Sequence, residues 1–166
     1  YHTCALTSQG SVKCWGLNEQ GQLGDGSFSD RLSPVEVVGL GNSVVSIASG
    51  VQHTCALLNT GNVKCWGSNF SGETQVPILK NPAKLALGGA TSCAIDEEGV
   101  KCWGDNSYQQ AQVPELDSPR ILSVGGYHSC AIDKKGAKFL LSYAYCKESI
   151  SLISNWNSRK VFVQRN

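Results

Sequence analysis

Short apolar runs alternate with polar, glycine-containing stretches along residues 1–138 of the chain. Residues 5–6 and 12–13 flank the polar stretch 7–11, a pattern that predicts two strands joined by a hairpin loop. Further runs predict additional strands: 35–38 (after Pro34), 44–48 and 121–124. No apolar spacing of 3.6 residues extends over a helical length before residue 139. The pattern therefore predicts an all-β fold.

One motif recurs along the chain and defines an internal repeat. It occupies residues 2–16, 53–67, 91–104 and, incompletely, 128–138. Its first cysteine recurs after 51, 38 and 37 residues, at Cys4, Cys55, Cys93 and Cys130. We therefore divide the chain into units at 1–52, 53–90, 91–127 and an incomplete 128–138, followed by a tail at 139–166. Short strands at this repeat length are typical of propeller blades or solenoid turns.

The composition supports strands and turns rather than helices. The 166 residues include 18 glycines, and 16% are Asp, Glu, Lys or Arg, against about 25% in an average protein. The net charge of +1 favours no class of partner. No apolar run reaches the roughly 18 residues that a membrane span needs. The chain starts at Tyr1 and contains no methionine, so we expect a fragment of a longer protein.

Six cysteines form pairs that bracket the predicted hairpins: Cys4 with Cys14, Cys55 with Cys65, and Cys93 with Cys102. Directly opposed strand residues have Cα atoms about 4.5–5.5 Å apart, a distance that a disulfide can span. We therefore predict one disulfide in each complete unit. Structural zinc and reduced core thiols are the alternatives, although no Cys-x-x-Cys knuckle is present and we expect no metal site. Cys130 has Phe139 where its partner is expected, and Cys146 is the candidate substitute.

Histidine and tryptophan also recur at fixed positions of the repeat, namely His2, His53 and His128, and Trp15, Trp66 and Trp103. A ring of ligands or bases is the catalytic interpretation, but Thr91 takes the histidine position in the third unit. We therefore predict packed, hydrogen-bonded histidines. We also predict core tryptophans, with a solvent-facing aromatic patch as the alternative. The carboxylates at 96–98 lie in a predicted hairpin loop and are expected to form a solvated tip.

Three stretches carry a resemblance to a known family: GLNEQGQLGDG at 16–26, SIASGVQHTCAL at 46–57 and the recurring Lys-Cys-Trp-Gly. Together they resemble the regulator of chromosome condensation repeat, whose members form seven-bladed β-propellers of four-stranded blades. The resemblance covers residues 1–138. It implies a partial β-propeller of about three to three and a half four-stranded blades.

Two features depart from the founding repeat. Residues 21–24 read Gly-Gln-Leu-Gly, whereas 72–75 and 109–112 do not and are similar to a shorter variant of the unit. The cysteine pairs resemble bacterial versions of the repeat. Because three and a half blades do not close the usual ring, we expect further blades elsewhere in the polypeptide or in another copy of it.

The repeat pattern stops after residue 138. Lys-Phe-Leu-Leu stands at 138–141 in place of Lys-Cys-Trp-Gly, and the tail contains no glycine or proline. Residues 133–166 carry seven Lys or Arg against two Asp or Glu. Three interpretations stay open: out-of-frame translation after a shift near codon 138, a terminal cap, and a basic arm for nucleic acid or a membrane surface.

A propeller by itself indicates only a broad binding surface, because function depends on the sites that a fold carries. We find no nucleophile–base or phosphate-binding motif, and we expect no catalytic residue, cofactor or nucleic-acid partner. The prediction is a non-catalytic module that binds a protein partner. We expect it to be extracellular, at the cell surface or in the periplasm, because paired cysteines are typical of oxidising compartments. The alternative, implied by the resemblance, is an exchange factor-like regulator of a small GTPase.

Overall fold

The computed structural model describes residues 1–140, which form twelve antiparallel strands and no helix. The strands are β1 (His2–Leu6), β2 (Val12–Gly16), β3 (Arg31–Glu36), β4 (Val44–Ser49), β5 (His53–Leu58), β6 (Val63–Gly67), β7 (Lys84–Leu87), β8 (Thr91–Asp96), β9 (Gly99–Gly104), β10 (Ile121–Val124), β11 (Ser129–Asp133) and β12 (Gly136–Leu140). They form four sheets, ordered β1-β2-β3, β4-β5-β6, β7-β8-β9 and β10-β11-β12. The predicted all-β fold is confirmed, and the described part holds no helix long and apolar enough to cross a membrane.

Successive sheets lie side by side, as blades of a propeller do. The leading strands β4, β7 and β10 are neighbours in that order. Between the first two sheets, a core cluster includes Val12, Cys14 and Leu23 from one side and Ala56 and Leu58 from the other. Each sheet therefore buries one face against the next, as a repeat module must to be stable.

The described sheets have three strands, where the resemblance predicted four per blade. The first sheet gains β3 from its long connector, residues 25–43, as the run after Pro34 predicted. The connectors 75–83 and 112–120 are shorter, and each contains two prolines. Proline has no N–H to donate to a strand ladder, so these segments add no fourth strand to the second and third sheets, which they follow.

Asp96 and Asp133 fasten the short connectors to the hairpin tips. The carboxylate of Asp96 accepts hydrogen bonds from the backbone N–H of Lys80 at 2.9 Å and of Glu98 at 2.8 Å. Asp133 makes the equivalent two backbone contacts in the next unit. The expectation of a solvated tip at 96–98 is therefore wrong for Asp96, which is buried, while Glu97 and Glu98 are exposed. The buried carboxylate of Asp96 is retained because backbone donors satisfy its oxygens and Nζ of Lys101 lies 3.1 Å from Oδ2.

The outward face of the first sheet is open. Thr3 and Ala5 are exposed, whereas the equivalent residues of the second sheet, Thr54 and Ala56, are buried against the first. This face thus has the residue types of a covered blade surface. That further blades cover it stays a prediction.

Candidate functional site

The loops at one end of the sheets form a surface that we call the loop face. It comprises the loops after the second hairpin strands (17–30, 68–75 and 105–112) and the turns before the hairpins (50–52, 88–90 and 125–127). The strand registers place these segments together, because His53 pairs with Gly67 and Thr91 pairs with Gly104. Loops held by a rigid scaffold are where binding residues concentrate.

In each of the loops 17–30, 68–75 and 105–112, two side chains stabilise the same backbone turn by hydrogen bonds. The first is an asparagine whose oxygen accepts from the backbone N–H five residues later: Asn18 (2.9 Å), Asn69 (3.1 Å) and Asn106 (3.0 Å). The second is a glutamine or glutamate whose side-chain oxygen accepts from the backbone N–H two residues earlier: Gln22 (2.9 Å), Glu73 (2.7 Å) and Gln110 (2.8 Å). The turn therefore persists in units that lack Gly-Gln-Leu-Gly. Sequence reasoning did not single out this Gln or Glu position, although its recurrence in the three complete units was a usable signal.

A polar node joins the first sheet to the second. Nε2 of His2 lies 2.8 Å from Oγ1 of Thr54, which donates to the backbone carbonyl oxygen of Gln22 at 3.1 Å. The same carbonyl accepts a hydrogen bond from Nε1 of Trp66 at 2.9 Å. One histidine, one hydroxyl and one tryptophan thus tie a loop of one sheet to the hairpin of the next.

The same node recurs between the second and third sheets. Nε2 of His53 lies 2.9 Å from Oγ of Ser92. The carbonyl oxygen of Glu73 accepts from Ser92 Oγ and from Nε1 of Trp103, each at 2.9 Å. Four of the six repeated histidines and tryptophans therefore take part in contacts between sheets. Of the other two, Trp15 is half-buried on the first sheet, and the ring of His128 lies against the backbone of Gly125.

The directions of the hydrogen bonds around Ser92 show which ring nitrogen of His53 carries the proton. The hydroxyl of Ser92 donates its one hydrogen to the backbone carbonyl of Glu73. Its oxygen therefore accepts a hydrogen bond from Nε2 of His53. Nδ1 of the ring is then unprotonated, and within residues 1–140 this buried atom has no hydrogen-bond partner. Charging the ring would create a buried N–H without an acceptor. Accordingly, burial lowers the pKa of His53 to about 4, although the nearby charge of Glu73 favours protonation.

Acidification from pH 7 to pH 4 is expected to destabilise the protein through this histidine. The pKa of His53 is about 4 when folded and 6.5 in its reference state. The unfolded chain therefore binds more protons in this window, and the free energy of unfolding falls by roughly 3 kcal/mol as pH drops. Urea unfolding at several pH values measures the slope of the free energy of unfolding against pH.

The variant His53→Gln is the matched control for that slope, because glutamine does not titrate. It should remove most of the pH dependence between pH 6.5 and pH 5, leaving the contribution of His2, whose pKa burial also lowers. Below pH 5 both proteins also lose the stability contributed by carboxylates with a lowered pKa, such as Glu73. An equal slope in both proteins would contradict the assignment.

The node is incomplete between the third and fourth sheets. Thr91 replaces the histidine, and its hydroxyl donates to the backbone oxygen of Asp105 at 2.9 Å. Ser129 takes the position of Ser92, but its buried hydroxyl has no hydrogen-bond partner in the described residues. Leu140 lies opposite Ser129, where the second and third sheets have tryptophan. Within the described residues, the polar node is therefore not repeated between the third and fourth sheets, which the Gly89 N–H joins by a hydrogen bond to the carbonyl of Gly125 at 3.1 Å.

An open depression of ≈ 330 Å³ lies on the loop face, where the second, third and fourth sheets meet. Phe70, Glu73, Asp105 and Tyr127 are among its lining residues. Phe70 is 85% exposed and Tyr127 63% exposed, and the ring of Tyr108 packs edge-on against Tyr127 with centroids 5.3 Å apart. Exposed aromatic side chains around a concave surface are typical of protein-binding sites.

The structure joins three cysteine pairs within residues 1–140. They are Cys4–Cys14, Cys55–Cys65 and Cys93–Cys102, each with Cα atoms 4.1 Å apart. Cys130 lies opposite Phe139 in the register. Cys146 lies outside the described residues, so its pairing with Cys130 stays a prediction. The described residues contain no group of three or more His, Cys, Asp or Glu placed to hold a metal ion.

Comparison with known proteins shows similarity to several repeat proteins. The chain is 37% identical to human Protein RCC2 over 93 residues, which is 53% of this chain and 18% of RCC2. It is 41% identical over 102 residues to Ras guanine nucleotide exchange factor C of Dictyostelium discoideum, 53% of this chain and 7% of that protein. It is 37% identical over 99 residues to human E3 ubiquitin-protein ligase HERC2, 58% of this chain and 2% of that protein. The chain thus spans less than a fifth of each relative.

Two solved structures share the fold. One is yeast RCC1 (Prp20) bound to Kap60, with a TM-score of 0.66 and 25% identity, covering 81% of this chain and 40% of that one. The other is the CRINKLY WD40 ectodomain of the Arabidopsis thaliana receptor kinase ACR4, with a TM-score of 0.58 and 25% identity, covering 81% and 43%.

The family match agrees with the β-propeller geometry. The regulator of chromosome condensation (RCC1) repeat matches residues 9–57, and a second description of the same repeat matches 44–73 and 83–110. Together these ranges cover more than half of the chain. They contain the second and third disulfide-linked hairpins whole, and of the first hairpin they contain β2 with Cys14 but not β1. The chain belongs to the regulator of chromosome condensation (RCC1) repeat family.

Proposed function

We propose that the chain is a non-catalytic module that binds a protein partner through the loop face. The observation that carries this proposal is the exposure of Phe70, Tyr108 and Tyr127 around the depression. Leaving large aromatic rings in water is unfavourable, and their burial supplies much of the free energy of protein association. The loops that present these rings are fixed by internal hydrogen bonds, so little ordering is needed on binding.

The comparisons support a binding role. The solved structure of yeast RCC1 (Prp20) contains that protein bound to Kap60. The exchange factor and the ubiquitin ligase match this chain over 7% and 2% of their own lengths. Similarity over so small a share of an enzyme does not assign its catalytic activity to this chain, because function depends on the sites that a fold carries.

We further propose that the module works in an oxidising compartment: outside the cell, at its surface or in the periplasm. Three disulfides among residues 1–140 support this, because the cytosol keeps such pairs reduced. The ACR4 ectodomain provides an extracellular example of the same fold.

The second candidate is regulation of a small GTPase, which the similarity to Ras guanine nucleotide exchange factor C favours. The state of the cysteines separates the two candidates. A cytosolic or nuclear exchange factor is expected to hold free thiols, whereas an extracellular module is expected to hold disulfides.

A photoreactive benzoylphenylalanine placed at Phe70 or at Ile78 tests the proposed face. Ile78 is the matched control, because it is 87% exposed but lies on the connector 75–83, outside the loop face. In an extract of the source organism, we expect a discrete adduct with the probe at position 70 and none at position 78. Excess unlabelled protein should compete for the adduct, and excess protein carrying Tyr127→Ala should not. Equal labelling at both positions would contradict the proposal.

A further inference from the structure

We propose that the depression on the loop face binds a lysine or arginine side chain from a basic segment of the partner. This inference rests on the proposed function and names the chemistry that the partner presents. Residues from three sheets build the depression, and they include two carboxylates and two aromatic rings. No lysine or arginine is among the residues that line it within the described range 1–140.

Both carboxylates in the depression are held in the charged form. Burial alone would raise the pKa of Glu73, but hydrogen bonds from Ser68 Oγ at 2.5 Å and Ser71 N–H at 2.7 Å hold it below its usual value. Hydrogen bonds from the side chain and N–H of Ser107 likewise lower the pKa of Asp105. The two negative charges are therefore fixed in place near neutral pH. Asp105 is partly exposed and can contact a cation, whereas Glu73 is buried with both oxygens bonded and attracts the cation through its charge.

The surrounding surface has the same sign of charge. The loops and turns of the loop face contain five carboxylates, at Glu19, Asp25, Asp30, Glu73 and Asp105, and no lysine or arginine. Arg31 is the nearest cation along the chain, at the start of β3, and its guanidinium pairs with Asp25 at 2.7 Å. The lysines of the described sheets lie on the strands, connectors and hairpin tips. A field of one sign attracts an oppositely charged segment and rejects an acidic one.

The aromatic rings add a second element of selectivity. The rings of Phe70 and Tyr127 lie at the edge of the depression with most of their surface exposed. A cation over the face of such a ring is attracted by its quadrupole, and the aliphatic stem of lysine or arginine packs against the same ring. An acidic and aromatic depression thus fits a long cationic side chain better than an apolar one.

Binding of a basic peptide to the full chain tests the inference. The probe is a fluorescein-labelled heptapeptide that alternates glycine and arginine, and its neutral counterpart carries citrulline at each arginine position. Fluorescence anisotropy should show the arginine peptide bound at least about tenfold more tightly, because citrulline keeps the shape but not the charge. A lysine peptide should bind more tightly than its acetyl-lysine counterpart.

Substitutions in the depression should weaken the arginine peptide selectively. We expect Asp105→Asn to weaken it about fivefold and Phe70→Ala about threefold. The matched controls lie outside the loop face: Glu115→Gln, an exposed carboxylate, and Ile78→Ala, an exposed apolar side chain, should leave binding unchanged. Equal binding of the citrulline peptide, or an equal loss in Glu115→Gln, would overturn the inference.

The two proposals fail in different ways. If the adduct at position 70 forms equally with Asp105→Asn and the arginine peptide does not bind, the cation site is wrong and the binding face stands. If no competed adduct forms at position 70, the binding face itself is wrong.

Discussion

Replacing Gly88 by alanine is expected to lower the free energy of unfolding by about 3 kcal/mol, the upper end of the usual cost of overpacking. A Cβ atom at this position would lie 1.9 Å from the backbone oxygen of Gly125 and 2.7 Å from Cγ1 of Val124. Both belong to the fourth sheet or its turn, and the closer one is backbone, which cannot rotate away. The substitution therefore has to push the third and fourth sheets apart. Urea unfolding monitored by tryptophan fluorescence measures the loss.

Gly126→Ala is the matched control for this prediction. A Cβ atom there has no neighbour within 4 Å, and the residue does not have a left-handed backbone. Its stability should stay within about 1 kcal/mol of the unsubstituted protein. If both alanine variants unfold alike, the close approach of the sheets is wrong.

Removing the disulfide of the second unit, by the double substitution Cys55→Ala and Cys65→Ala, is expected to cost about 3 kcal/mol of unfolding free energy. The bond closes a short loop across β5 and β6, and without it the unfolded chain gains conformational freedom. The half-cystine at 55 is fully buried, so the alanine also leaves a small cavity. Thermal and urea unfolding of the two proteins give the difference.

Thiol labelling supplies the control for the disulfide prediction. In the unfolded, unreduced protein, the six cysteines of the three pairs should resist a thiol reagent, and reduction should expose them all. Labelling of these six cysteines without reduction would contradict the disulfides. It would favour the exchange-factor candidate.

The hairpins could be read from the sequence because their signals are local. Two apolar pairs around 7–11 predicted β1 and β2, and the runs at 44–48 and 121–124 fall within β4 and β10. The prediction of four strands per blade came from the resemblance to the repeat family. It fails in the second and third sheets because the shorter connectors that follow them, 75–83 and 112–120, run as proline-containing segments without a strand.

The contacts between sheets could not be read from the sequence. The acceptors of the polar nodes are the backbone carbonyls of Gln22 and Glu73. Every residue type has a backbone carbonyl, so the sequence does not indicate which one accepts. The burial of Asp96 likewise depends on the connector that folds over it. On the loop face, the ring of Phe70 does not recur in the other complete units, which have Glu19 and Ser107 at that position, whereas Tyr127 has an equivalent in Tyr1. The departure of Phe70 from the repeat was the available signal for a binding role.

The paired photoreactive probes at Phe70 and Ile78 test the central claim most directly, because they compare the loop face with an equally exposed site outside it. Binding through the loop face predicts a competed adduct at position 70 and none at position 78. An adduct at position 78 alone, or equal labelling at both positions, would contradict it.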